Sequence, residues 1–238
     1  MRGDVPAYQR IQDGLDRAIA AGRGIDGVLR AGFVNAAAGQ VIMLVADAFR
    51  ARHPGCAVEI REAQVGDCLA ALRAGEIDVL LATLPIDEPD LVTGSVLLRE
   101  PRVLAVSSRH PFARRESVSV EDLSRDEVLR APCSDIDGWE AARVPERTPG
   151  GRRIERGQLT ATFQEMLTLI GAGQGVYPVG AHATRYYTRP DVTYVPIRDA
   201  PPLEWGLLWR TSAETSRIRA FDETARDVTK AGLETATR

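Results

Sequence analysis

Apolar positions in the first third of the chain switch between the period of a strand and that of a helix. Residues 28–35 (VLRAGFVN) read as a first strand. Val41, Leu44, Val45, Ala48 and Phe49 then recur at helical spacing, with Asn35 able to cap the start and Pro54-Gly55 ending the run. AVEIRE (57–62) alternates strictly, as a half-buried strand does. The next stretch, CLAALRAGEIDVLLA (68–82), is a short amphipathic helix over 66–74 that stops at Gly75 and drops into an apolar strand over 77–83. Glycine belongs at that stop because it enters the left-handed cap without steric cost. Ile77, Val79, Leu80 and Leu81 form a near-continuous apolar run, the pattern of a strand covered on both faces. Two linked strand–helix–strand units predict an open α/β sheet, which binds ligands outside the carboxyl ends of its strands.

Farther along, the chain turns over 85–89, and strands are predicted at 95–99 and 102–107, parted by Glu100-Pro101. Arg109-His110-Pro111 reads as a turn, and Ser119-Val120-Glu121-Asp122 has capping-box spacing for a short helical turn. Residues 127–131 suit a strand, and 144–151, with two prolines and two glycines, a flexible surface loop. A helix is expected from Thr162 to Ala172, capped by Thr162 and Glu165, with Phe163, Met166, Leu167 and Ile170 inward. A strand over 175–179 carries Pro178, which favours an edge. Strands at 192–197 and 204–210 precede a last helix opened by Thr211 and Glu214, with Ile218, Phe221 and Val228 inward. Residues 4–22 can also form a helix, weakened by glycines.

Composition narrows the class. At 238 residues the chain holds one large α/β domain or two small ones. A formal net charge of −3 argues against a surface built for nucleic acid or anionic membrane. No apolar run reaches a membrane span, and the N-terminal residues lack the apolar core of a secretory signal, so a cytoplasmic protein is expected. Cys56, Cys68 and Cys133 have no metal-type spacing and read as reduced structural thiols. His53, His110 and His182 are scattered. The GAGQG of 171–175 follows a helix instead of opening one, so it is no dinucleotide fingerprint. No nucleophile elbow or zinc-protease motif is present, and no catalytic residue, cofactor or metal is expected.

The order LRAGFV, a helix ending in FRARHP, VEIRE and LRAGEIDVLLA resembles the effector-binding domain of LysR-type transcriptional regulators. REPRVLAVSSRHPFA (99–113), LIGAGQGV (169–176) and TYVPI…WGLLWR (193–210) extend the resemblance over roughly residues 28–230. It implies an α/β fold of two Rossmann-like subdomains joined by two crossover strands, periplasmic-binding-protein-like, type 2. Residues 1–25 would be the remnant of a linker helix, 26–101 with 203–238 the first subdomain, and 102–202 the second. A small-molecule effector would lie between them, the protein would form a homodimer or tetramer, and DNA would be contacted only through an N-terminal winged helix-turn-helix that this sequence lacks.

The resemblance also points to particular positions. Asn35, Ala36 and Ala37 stand at the first helix start, where the family often has Ser or Thr, and Val65 with Gly66 at the second. Helix N-termini there would offer free N–H groups to a carboxylate. The missing hydroxyls shift the expectation from a simple organic acid toward a bulkier or more apolar metabolite. Thr83 and Leu84, Arg102, Cys133, Ser134 and Thr162 complete the expected effector contacts. Each has a plainer reading: Thr162 and Asn35 as helix caps, Arg102 in a salt bridge, Cys133 as a packed thiol. Two other functions stay open: a stand-alone cytoplasmic solute-binding protein, and an enzyme on the same two-lobed scaffold.

Overall fold

Residues 25–132 and 138–236 are described by the computed structural model; the helix expected over 4–22 lies outside them. β1 (Gly27–Phe33), α1 (Ala36–Arg52), β2 (Cys56–Glu62), α2 (Cys68–Ala74) and β3 (Val79–Leu84) form the opening unit. Asn35 caps α1, its Oδ1 accepting from the Ala38 N–H at 2.9 Å. Gly75 takes the left-handed conformation (φ 73°) that ends α2, and a Cβ there would press on the Arg210 guanidinium. Val79, Leu80 and Leu81 are wholly buried, in line with their unbroken apolar run.

The inward face of α1 differs from the expected stripe. Ala38, Ile42, Val45, Ala46 and Phe49 are buried, Val41 and Ala48 are half-buried, and Leu44 is 61% exposed. All six positions from 41 to 46 are apolar, so periodicity alone leaves the helix phase open. Packing against the C-terminal helix sets it.

β4 (Leu91–Glu100) and β5 (Arg102–Ser107) are nearly continuous, parted by Pro101, yet they belong to different sheets. Two short 3-10 turns follow, the second opened by the Ser119–Asp122 capping box. Next come β6 (Glu127–Arg130), α3 (Trp139–Arg143), β7 (Glu155–Leu159), α4 (Phe163–Gly171), β8 (Tyr177–Gly180), α5 (Ala183–Tyr186) and β9 (Val192–Pro196). Of these, α3, β7 and α5 have no counterpart in the sequence reading. Nor is 144–151 merely a surface loop: Val144 and Thr148 are buried, and the Thr148 N–H donates to the Arg152 carbonyl at 2.8 Å. β10 (Leu203–Arg210) returns to the first sheet, and α6 (Ser216–Ala236) closes over it, Phe221 meeting Phe49 of α1 edge-on at 5.3 Å.

The first sheet has the order β2-β1-β3-β10-β4, with β1 parallel to β2 and β3, and β10 antiparallel to β3 and β4. The second, β8-β5-β9, is antiparallel, and a parallel β6–β7 pair flanks it. Pro178 falls on the edge strand β8, where its missing N–H costs no ladder bond on the open side. The chain therefore crosses between sheets twice, at Pro101 and over residues 197–202. One core packs α1 and α6 on the first sheet; the other runs from Leu72 and Leu80 into the second lobe around Leu104, Leu129 and Ile170. Cys56 and Cys68 are buried thiols. Among the described residues no helix is long and apolar enough to cross a membrane.

Candidate functional site

The ends of β1 and β3, together with the start of β10, face α3, α4, β8 and α5 of the second lobe across a cavity of about 110 Å³. Its walls are mainly apolar: Val34, Val65 and Leu203 on one side, Trp139, Phe163, Met166 and Tyr177 on the other. Asn35, Thr83, Arg143, His182 and Tyr187 supply its polar groups, and Trp205 lies along its floor.

Among the described residues, three bridges hold the lobes around this space. At the first, α3 grips the end of β3. The Trp139 indole N–H donates to the Thr83 carbonyl at 3.2 Å, and the Arg143 guanidinium donates to the Thr83 hydroxyl. The Arg143 Cζ lies over the Trp139 ring, 3.3 Å from its centre, and the guanidinium donates to the Trp139 carbonyl at 2.9 Å. At the second, α5 meets the N-terminus of α1. Tyr186 donates to Gln40 Oε1, and the Ala36 N–H donates to the Tyr187 hydroxyl at 3.5 Å. Burial pushes the Tyr187 phenol above its ordinary pKa, so it keeps its proton and can donate as well.

The third bridge sits where β4 crosses at Pro101. The Glu100 carboxylate accepts from the His182 main-chain N–H, from His182 Nδ1 at 2.8 and 3.0 Å, and from the Trp205 indole at 3.0 Å. Burial by itself would raise its pKa, but the His182 and Trp205 bonds prevail and hold it below the ordinary carboxylate range. Gly180 makes this approach possible, because a Cβ there would fall on the Glu100 carboxylate.

The expected contact residues divide among several places. Asn35, Val65 and Thr83 line the cavity. Ala36 reaches it through its N–H, while Ala37 and Leu84 are half-buried outside the lining, Leu84 pairing with Glu204 of β10. Gly66 is exposed at the rim, close to Pro132. Thr162 is exposed and caps α4, its hydroxyl accepting from the Glu165 N–H at 3.1 Å. Arg102 is buried behind α3, donating to the Arg143 carbonyl at 3.3 Å, and it forms no ion pair among the described residues. The salt bridge offered as its plainer reading is not what holds it. Cys133 and Ser134 lie outside the described residues.

Trp139, Arg143, His182, Tyr187 and Trp205 were not singled out from the sequence. The signal available for one of them, Tyr187, was the aromatic pair Tyr186-Tyr187 a few residues beyond a strand end.

Two sheets crossed twice by the chain, with a cavity between them, define a periplasmic-binding-protein-like domain of type 2. The profile of the LysR substrate binding domain matches residues 22–230, and the chain belongs to that family, the effector-sensing part of LysR-type transcriptional regulators. It is 26% identical over 219 residues to the HTH-type transcriptional regulator AlsR of Bacillus subtilis (strain 168), covering 90% of this chain and 71% of AlsR. The BenM effector binding domain with its effector benzoate superimposes with a TM-score of 0.63 at 23% identity, over 86% of this chain and 93% of that one. The effector binding domain of QuiR in complex with shikimate gives 0.69 at 16%, over 87% and 98%. These two structures share the fold.

Proposed function

We propose that the cavity between the lobes is the effector site of this domain, and that its occupancy sets the angle between the lobes and through it the contacts of the regulator with DNA. The observation that carries this reading is the cavity itself, bounded by both lobes and spanned by bridges from two segments of the second lobe, α3 and the turn around α5. A molecule lodged there touches both lobes at once, so its affinity depends on their relative placement. That difference in affinity is what a ligand needs to shift a conformational equilibrium. Asn35, Val65 and Thr83 are the contacts from the first lobe, with Trp139, Phe163 and Tyr187 opposite.

The role is sensing, not turnover. His182 and Glu100, the pair from which a catalytic reading would start, are tied to each other, to main chain and to Trp205, so they brace the crossing. Subunits are proposed to associate as a homodimer or tetramer, as regulators of this family do.

The test is a thermal-shift screen of small metabolites on the domain, followed by titration of any hit against Val65→Trp, which fills the cavity from its rim. A hit that raises the melting temperature of the parent by mass action and loses its effect in the variant supports the reading. A hit that acts equally on both places the effector elsewhere.

A further inference from the structure

The hydrogen bonds around the cavity have a direction. Asn35 uses its oxygen to accept from the Ala38 N–H, which leaves the Nδ2 hydrogens. Thr83 uses both of its oxygens, the hydroxyl accepting from Arg143 and the carbonyl from Trp139, which leaves the hydroxyl hydrogen. Tyr187 accepts from the Ala36 N–H and likewise keeps its phenolic hydrogen. Three side chains from three elements thus present hydrogens to the same space after their oxygens have been filled from within the protein. Among the described residues, His182 is the one cavity side chain of the other kind: with Nδ1 turned to Glu100, its Nε2 carries a lone pair when the ring is neutral. An independent feature has the same sign. Arg102 is buried one hydrogen bond behind the cavity wall, has no ion-pair partner among the described residues, and its Nε makes no hydrogen bond.

Size is the second constraint. The cavity of about 110 Å³ is smaller than the roughly 150 Å³ space that holds a benzene ring. With the lobes in this arrangement, the space favours a small ligand over an aromatic acid. The walls that remain are apolar, so beyond one acceptor group the ligand has little polar surface to satisfy.

From these two constraints we infer that the cavity selects a short-chain aliphatic monocarboxylate, its carboxylate received by Asn35, Thr83 and Tyr187 and its chain lying against Val65, Trp139 and Phe163. The inference rests on the effector-site reading above and adds the ligand class. It reverses the sequence expectation of a bulkier ligand: the hydroxyls missing from the start of α1 are replaced by Tyr187, which the second lobe brings to the same helix end.

Isothermal titration of the domain with propionate, butyrate and isobutyrate, their amides and the matched primary amines tests this, with benzoate as the oversized acid. The variants are Asn35→Asp and Tyr187→Phe. Aspartate keeps the helix cap while replacing the amide donor with a negative charge, and phenylalanine keeps the ring against Phe163 while deleting the hydroxyl. At least one short acid is expected to bind saturably and at least tenfold more tightly than its amide and amine. Tyr187→Phe should weaken it by about tenfold, the lower end for a hydrogen bond to a charged group, and Asn35→Asp by more. If the amines bind instead and gain from Asn35→Asp, the ligand class is overturned while the cavity stands as the site. If an acid binds and neither variant alters its affinity, the acid lies outside the cavity and the inference fails. If no short acid binds, the class is wrong, and the Val65→Trp titration of screened hits decides the site separately.

Discussion

Glu100→Gln isolates the bridge at the crossing between lobes. The native carboxylate receives N–H groups from the His182 main chain, the His182 ring and the Trp205 indole, with its side chain only 12% exposed. Glutamine keeps the shape but offers one oxygen, and its NH₂ group must face one of the donors that the second oxygen used to receive. Hydrogen bonds to a charged group contribute about 1.5–3 kcal/mol each, and a buried donor left unsatisfied costs a further 1–3 kcal/mol or so. Allowing for partial relaxation, the loss should be about 2–4 kcal/mol, roughly 4–16 °C in melting temperature for a domain of this size. Urea unfolding of both proteins at pH 7 measures it. The pH dependence supplies a second signature. The folded pKa of Glu100 is depressed, so its contribution is complete above the unfolded carboxylate value near 4.3 and is lost as the pH falls through the folded value. The gap between parent and variant should therefore be widest at neutral pH and shrink below about pH 4.3. A variant within ~0.5 kcal/mol of the parent at pH 7, the range of a surface change, would refute the bridge as described. So would a gap that stays constant down to the acid limit.

Three other substitutions test the scaffold. Phe221→Ala removes a fully buried ring that meets Phe49, and should cost about 3–5 kcal/mol in denaturant unfolding while leaving ligand affinity unchanged. Gly75→Ala puts a Cβ on a residue at φ 73° and against Arg210; a loss of about 1 kcal/mol or more is expected in the same assay. Leu44→Glu alters an exposed position on α1 beside Met43 and the edge strand β2. Its stability should match the parent within about 0.5 kcal/mol, and sedimentation should show fewer dimers if this apolar face joins two copies.

The features legible in the sequence were those that a single element settles by itself. Gly75 stops α2 because only its own backbone is at issue, and Asn35, Ser119 and Thr162 cap the helical turns after them because the partner N–H lies two or three residues on. The run Val79–Leu81 announced a covered strand, and Pro178 announced an edge. The phase of α1 was not legible, since a helix apolar on most sides takes its inward face from its neighbours, and so Leu44 was misplaced. Trp139–Arg143 is too short to show a period, and ERGQL at β7 has no alternation. The polar side of the cavity was the hardest part to foresee. Glu100 lies 82 residues from His182 and 105 from Trp205, and these pairs meet only because the chain crosses twice.

One short segment carries most of the coupling. His182, Tyr186 and Tyr187, all within or beside α5, supply two of the three bridges between lobes, and Tyr187 also lines the cavity. On the proposed reading, a ligand that takes the Tyr187 hydroxyl acts on the same element that holds α5 to α1. Moving an equilibrium from one part in a hundred to ninety-nine requires about 5.5 kcal/mol of differential affinity. At about 1.5–3 kcal/mol for each bond to a charged group, about two to four bonds made in one lobe arrangement and absent from the other are enough. Asn35 and Thr83 stand on the first lobe and Tyr187 on the second, so separating the lobes breaks such a set at Tyr187 first. Tyr187→Phe should therefore reduce the ligand-induced change in lobe spacing, read by small-angle scattering at saturating ligand, and not only the affinity.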